Sequence, residues 1–111
     1  MEILEPLARR AEATLSRLGC RNVQIKIGDG YQGWPEHAPY DAIIVTCAPE
    51  LIPQALLEQL RQGRRLVIPL GPESGPWSGQ ELVVARNTRA GLREEARMPV
   101  RFVPMTRAVR R

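Results

Sequence analysis

Two short runs of aliphatic residues, Ala42-Ile43-Ile44-Val45-Thr46 and Arg65-Leu66-Val67-Ile68-Pro69-Leu70, constrain this chain most. Both are rich in β-branched residues and neither alternates cleanly with polar ones. Each therefore predicts a strand buried on both faces. Between them Ile52, Leu56, Leu57 and Leu60 recur at helical spacing. Pro49 and Pro53 bracket the start of that helix, and Gly63 predicts its stop. Strand, helix and strand in this order predict a parallel α/β arrangement.

The flanking segments extend the pattern. Leu4, Leu7, Ala8, Ala11, Leu15 and Leu18 make one apolar stripe of an amphipathic helix. Pro6 suits its first turn and Gly19 its end. Val23, Ile25 and Ile27 alternate with Gln24 and Lys26, predicting a strand that ends at the turn Gly28-Asp29-Gly30. Gly71 to Gly79, with its glycines and prolines, predicts a loop. Glu81 to Arg86 and Leu92 to Arg97 flank Asn87-Thr88-Arg89-Ala90-Gly91 and predict an antiparallel hairpin. Val100 to Val103 either continue its second arm or form a separate strand. A parallel unit normally leads with a strand, but this chain opens on a helix, so the pattern predicts a missing element in front.

At 111 residues the chain is short for two independent cores, and it predicts one partial domain over residues 1–111. No apolar run approaches the roughly 20 residues of a membrane helix. Met-Glu-Ile-Leu-Glu-Pro lacks the layout of a signal peptide, so the chain reads as soluble and cytoplasmic. Sixteen cations against twelve anions leave a net charge of +4, and Lys26 is the sole lysine. The arginines are scattered and aromatics make up only 5%, which argues against nucleic acid as a partner. Cys20 and Cys47 make neither a disulfide framework nor a metal site. His37, the single histidine, lies in a proline-rich loop without neighbouring ligand types. No metal is expected.

In open α/β sheets, ligands bind beyond the carboxyl ends of the strands. Three places satisfy that rule. Glu2 precedes the first helix and could accept from ribose hydroxyls, or simply favour the helix dipole. Asp29 between two glycines could accept from an exocyclic amine while a ring approaches the backbone, or be a plain turn residue. Thr46-Cys47-Ala48-Pro49 could leave room for a substrate, or be a tight strand-to-helix connection. No G-x-G-x-x-G phosphate loop occurs in the chain.

Gly28-Asp29-Gly30-Tyr31-Gln32-Gly33-Trp34, followed by Ala38-Pro39-Tyr40-Asp41-Ala42-Ile43-Ile44-Val45-Thr46, resembles the protein-L-isoaspartate O-methyltransferases. So do Leu60 to Gly71 and Val100-Arg101-Phe102-Val103-Pro104-Met105, in the family's order. The resemblance covers nearly the whole chain. It implies a Rossmann-like class I methyltransferase sheet with a C-terminal antiparallel hairpin. It also implies S-adenosylmethionine as cofactor and proteins or peptides with L-isoaspartyl residues as substrates. The implied reaction esterifies the isoaspartyl carboxyl; the ester then collapses to a succinimide that reopens partly to aspartate.

By the same resemblance Glu2 corresponds to the ribose-holding acid, and Asp29 with Gly28 and Gly30 to the adenine-side contact. Thr46 lies beside the methyl donor. Cys47, Ala48 and Pro49, with Val100, Arg101, Phe102 and Val103, belong to the substrate side. The family's first strand, Gly-rich loop and hydroxyl-bearing substrate loop precede Glu2, so the implied sheet is incomplete and no catalytic residue is assigned in this chain. Without the first strand, Val23 to Ile27 has no route into one sheet with Ala42 to Thr46, and two edges are left unpaired. A mis-started reading frame, a true truncation and a separately encoded N-terminal half all fit that pattern. The alternative function is an inactive fragment, or an interaction module that pairs through its exposed sheet edge.

Overall fold

The computed structural model describes residues 1–71 and 79–108. They form two compact units, Tyr31–Met105 and Met1–Gly30 with the residues from Thr106 onward. The stretch Gly71 to Gly79, expected as a loop, lies outside the described residues apart from its two end glycines.

In the first unit, α1 runs from Glu5 to Arg17, with a proline in its opening turn and Glu5 and Arg17 at the ends that suit the helix dipole. Its end is a Schellman motif. Gly19 takes φ +76°, its N–H donates to the Ser16 carbonyl at 3.0 Å, and the Cys20 N–H donates to the Leu15 carbonyl at 3.0 Å. The expected buried stripe is corrected: only Ala8 of α1 is buried, and Leu4, Leu7 and Leu18 are exposed. One helix and one short segment do not supply enough surface to cover three leucines. The expected strand at Val23 to Ile27 is also corrected. It is reduced to a single parallel bridge between Ile27 and Glu2, because a strand needs a ladder and the described residues of the unit offer no longer partner.

The second unit holds a four-stranded sheet in the order β1-β2-β3-β4. β1 spans Tyr40–Ile44, β2 Leu60–Leu70, β3 Gln80–Thr88 and β4 Gly91–Val100. β1 and β2 are parallel and are joined through α2, Gln54–Gln59. β2–β3 and β3–β4 are antiparallel. The hairpin turns at Arg89-Ala90, with Thr88 opposite Gly91, which takes φ +110°. Val100 ends β4, so the second arm of the hairpin reaches that residue and Arg101 to Val103 lie beyond it.

Two further expectations change. α2 stops at Gln59 instead of continuing to Gly63, and Leu60 already begins β2. Gly63 instead sits within β2 at φ +84°, where the register slips between Tyr40↔Leu60 and Ala42↔Arg65. β1 is not buried on both faces. Ile43 and Val45 pack on the core, whereas Ala42 is exposed and Ile44 is 71% exposed. β2 shields one edge of β1, and among the described residues no strand pairs with the other.

The core consists of Leu60, Leu66, Ile68, Val83 and Ala85, with Ile43, Val45, Ile52 and Leu57 packed against it. Leu66 and Ile68 are completely inaccessible. Full burial of such side chains contributes about 1.5–3 kcal/mol each.

Candidate functional site

Four of the residues singled out in the sequence belong to the first unit. The Glu2 N–H donates to the Lys26 carbonyl at 3.0 Å, and the Gly28 N–H donates to the Glu2 carbonyl at 3.0 Å. This parallel bridge brings Glu2 and Gly28 together. The Glu2 carboxylate accepts from the Leu4 N–H through Oε1 at 3.1 Å, just ahead of α1. A carboxylate has roughly four lone-pair sites, so one local bond leaves acceptor capacity for a pair of hydroxyls.

Asp29 follows directly. Its Oδ2 accepts from the Ala108 N–H at 3.2 Å. The segment after Thr106 thus meets the carboxylate that sequence reasoning reserved for a ligand amine, a contact between residues too distant in sequence for spacing to reveal. Gly30 opens a short 3₁₀ turn, Gly30–Gln32. A Cβ at Gly28 would lie 3.3 Å from Met1 Cε and 3.6 Å from Lys26 Cε, both ends of flexible side chains. The backbone therefore does not demand glycine at position 28.

The other candidates belong to the second unit, and part of them converge. The Ala48 N–H donates to the Val103 carbonyl at 2.7 Å, and the Met105 N–H donates to the Ala48 carbonyl at 3.0 Å. Ala48 forms a parallel bridge with Pro104. The two segments assigned to the substrate side thus lie strand-like beside each other, beyond the carboxyl end of β1. Ala48 and Pro49 are buried, Cys47 and Phe102 are half-buried, and Val100 ends β4 half-buried. Thr46, Arg101 and Val103 are exposed. Cys47 forms no disulfide.

Two glutamines that sequence reasoning missed hold these loops. Gln80 is nearly buried and pairs with the Phe102 backbone as a strand neighbour would. Its Oε1 accepts from the Phe102 N–H at 2.6 Å, and its Nε2 donates to the Phe102 carbonyl at 3.0 Å. Gln59 does the same for the loop before β1. Its Oε1 accepts from the Trp34 N–H at 2.8 Å, and its Nε2 donates to the Gln32 carbonyl at 3.1 Å. Gly33 takes φ +64° against that amide, where a Cβ would fall 2.3 Å from Oε1. The Tyr40 hydroxyl donates to the Trp34 carbonyl. Partial burial, with the Glu36 charge nearby, raises the Tyr40 pKa. The signal for Gln59 was its place on the stripe of Leu56 and Leu60; Gln80 had none.

The family model for Protein-L-isoaspartate(D-aspartate) O-methyltransferase matches residues 1–110. The chain belongs to this family. A Protein-L-isoaspartate O-methyltransferase of Gloeobacter violaceus is 51% identical over 107 residues, covering 96% of this chain and 51% of that protein. One of Opitutus terrae is 52% identical over 107 residues, covering 96% and 45%. The chain thus spans about half the length of the curated relatives it matches.

A solved protein-L-isoaspartate O-methyltransferase superposes with TM-score 0.81 at 29% identity, covering 91% of this chain and 31% of that one. A second, a putative Plasmodium falciparum member solved in complex with S-adenosyl-L-homocysteine, has TM-score 0.75 at 22% identity, covering 96% and 50%. The four-stranded mixed sheet with its helices is a partial domain of the class I methyltransferase fold. Among the described residues, no helix is long and apolar enough to cross a membrane.

Proposed function

We propose that this chain carries the carboxyl-terminal share of a protein-L-isoaspartate(D-aspartate) O-methyltransferase that works in the cytoplasm. The substrates would be damaged proteins bearing isoaspartyl carboxyls. The observation that carries the reading is the backbone pairing of Ala48 with Val103 and Met105, which joins the two segments the family resemblance assigns to the substrate. Ala48 and Pro49 are buried and anchor this pairing, while Arg101, Phe102 and Val103 keep accessible surface that would face an extended peptide.

S-adenosylmethionine, when bound, supplies an electrophilic sulfonium methyl. Glu2 would accept from its ribose hydroxyls, and Asp29 from its adenine amine, with Gly28 and Gly30 leaving room for the ring. The donor set fits the group: two carboxylates and small neighbours suit a hydroxyl-rich, amine-bearing ligand. Thr46 would stand beside the methyl end. Cys47, Ala48, Pro49, Val100, Arg101, Phe102 and Val103 would orient the incoming carboxylate. That carboxylate is already ionised near neutral pH, so the reaction needs positioning more than a general base.

The open edge of β1 supports a partner element. Ile44 and Ala42 lie on β1, whose outer edge pairs with no strand among the described residues, while β4 carries Arg93, Glu94, Glu95, Arg97 and Pro99, features that blunt an edge. An N-terminal half, whether in the same polypeptide or separately encoded, would add its strand at β1. The same edge favours the alternative, a non-catalytic module that pairs with another chain.

The two readings separate in a chimera with the N-terminal half of the Gloeobacter violaceus relative placed ahead of Met1. Calorimetry with S-adenosyl-L-homocysteine should show Glu2→Ala and Asp29→Ala each weakening binding by about tenfold or more, the usual cost of losing a charged hydrogen-bond partner. Unchanged affinity in both variants would remove the cofactor assignments.

A further inference from the structure

Arg65, Arg86 and Arg93 stand directly opposite one another across β2, β3 and β4, as the register pairs Arg65↔Arg86 and Arg86↔Arg93. Directly opposed like charges destabilise a sheet. One carboxylate answers all three guanidiniums. Glu95 lies 2.9 Å from Arg65 Nε, 3.3 Å from Arg86 Nε and 3.7 Å from Arg93. Val84 pairs with Ala96 and Ala85 with Glu94, so Glu95 is the extra residue of a bulge that turns it onto the arginine row.

On the other side of the row, β1 opposes Arg65 with only Ala42. There a cleft of about 330 Å³ opens, lined by Asp41, Ala42, Arg64, Arg65 and Arg86. Asp41 is engaged by Arg61, and Arg64 Nε stands 4.0 Å from it. Five guanidiniums (Arg61, Arg64, Arg65, Arg86, Arg93) thus meet two carboxylates (Asp41, Glu95), an excess of three positive charges. Most of the chain's net charge of +4 is concentrated here. The cleft lies towards the amino end of β1 and beside the middle of β2, whereas Thr46 to Pro49 follow the carboxyl end of β1.

We propose that this cleft is a binding site for an oxyanion of the phosphate class. Arg64, Arg65 and Arg86 would supply the donors, with Ala42 leaving the space. Guanidinium forks match phosphoryl oxygens bidentately. The volume falls at the small end of ligand sites, which favours a compact anion over a macromolecular segment. Glu95 occupies the row when the ligand is absent and competes with it. The site is independent of the methyltransferase reading.

The test is calorimetry on the full chain with inorganic pyrophosphate, at an ionic strength matched with potassium chloride. Saturable binding is expected. Arg64→Gln, an exposed residue outside the paired row, should weaken it about tenfold. Glu95→Gln should tighten it by removing the competing anion, whereas a purely structural arginine cluster would only lose stability. A response no greater than that to the chloride control, or unchanged binding in Arg64→Gln, overturns the proposal. An ADP arm identifies the source. Equal or weaker binding than pyrophosphate points to the free oxyanion, tighter binding to a phosphate carried on a nucleoside, and the site stands in either case.

Discussion

Replacing Gly33 with alanine tests the loop architecture ahead of β1. Gly33 takes φ +64°, a conformation that costs an L-residue about 1–2 kcal/mol. The new Cβ would also fall 2.3 Å from Gln59 Oε1 and 2.7 Å from its Cδ and Nε2. A free side chain would swing aside, but this amide is 8% exposed and bonded to both the Trp34 N–H and the Gln32 carbonyl. Displacing it forfeits two hydrogen bonds, about 0.5–1.5 kcal/mol each.

The sum is about 2–5 kcal/mol, a large part of a small domain's stability. Gly63→Ala is the control: φ is +84°, and nothing lies within 4 Å of the added Cβ, so only the backbone cost of about 1–2 kcal/mol applies. In a Gln59→Ala background the clash and both bonds are already gone, so Gly33→Ala should cost no more than the control. Urea titration with an unchanged m-value reads the four variants against wild type. Gly33→Ala no worse than Gly63→Ala, or strict additivity with Gln59→Ala, would refute the clamp.

Ile44→Lys should leave the stability of the chain within about 0.5 kcal/mol, as the side chain is 71% exposed. It should nonetheless abolish strand addition at the β1 edge, measured as loss of association with a separately expressed N-terminal half; undiminished association would place pairing elsewhere. Glu95 sets a pH dependence. Partial desolvation raises its pKa, but hydrogen bonds and charge from Arg65 and Arg86 outweigh that and leave it lowered. The resulting stabilisation is complete above the unfolded glutamate value of about 4.3 and is lost as pH falls through the lower folded value. Melts of wild type and Glu95→Gln should therefore differ above pH 5 and converge in acid; a difference that grows on acidification would reverse the sign.

Local chemistry was legible wherever it decides structure. Pro6 and Gly19 bracket α1 as their conformational preferences require, and the break from Asn87 to Gly91 marks the hairpin, whose turn narrows to Arg89-Ala90 as both arms extend into it. Burial was less legible, because it depends on neighbours. The run Ala42 to Thr46 reads as a two-face strand, yet only the face of Ile43 and Val45 is covered, so Ile44 on the opposite face stays exposed. Leu4, Leu7 and Leu18 make a core stripe by periodicity, but their unit offers depth only to Ala8.

The site was legible as residue types rather than as contacts. Spacing does not show that Glu2 bridges to Gly28, that Ala48 meets Val103, or that Asp29 receives the Ala108 N–H. Gln59 and Gln80 were passed over because a polar residue reads as surface. Each is nearly buried and serves as a backbone substitute for a loop.

The most direct measurement is methyl transfer by the chimera of this chain with the N-terminal half of the Gloeobacter violaceus relative. Paired peptides differing only in an L-isoaspartyl or an L-aspartyl residue would be assayed for base-labile methyl ester. The account predicts ester on the isoaspartyl peptide alone, lost when Val103→Glu places a charge at the exposed position paired with Ala48. A folded chimera that binds S-adenosyl-L-homocysteine yet methylates neither peptide, or both equally, would contradict it.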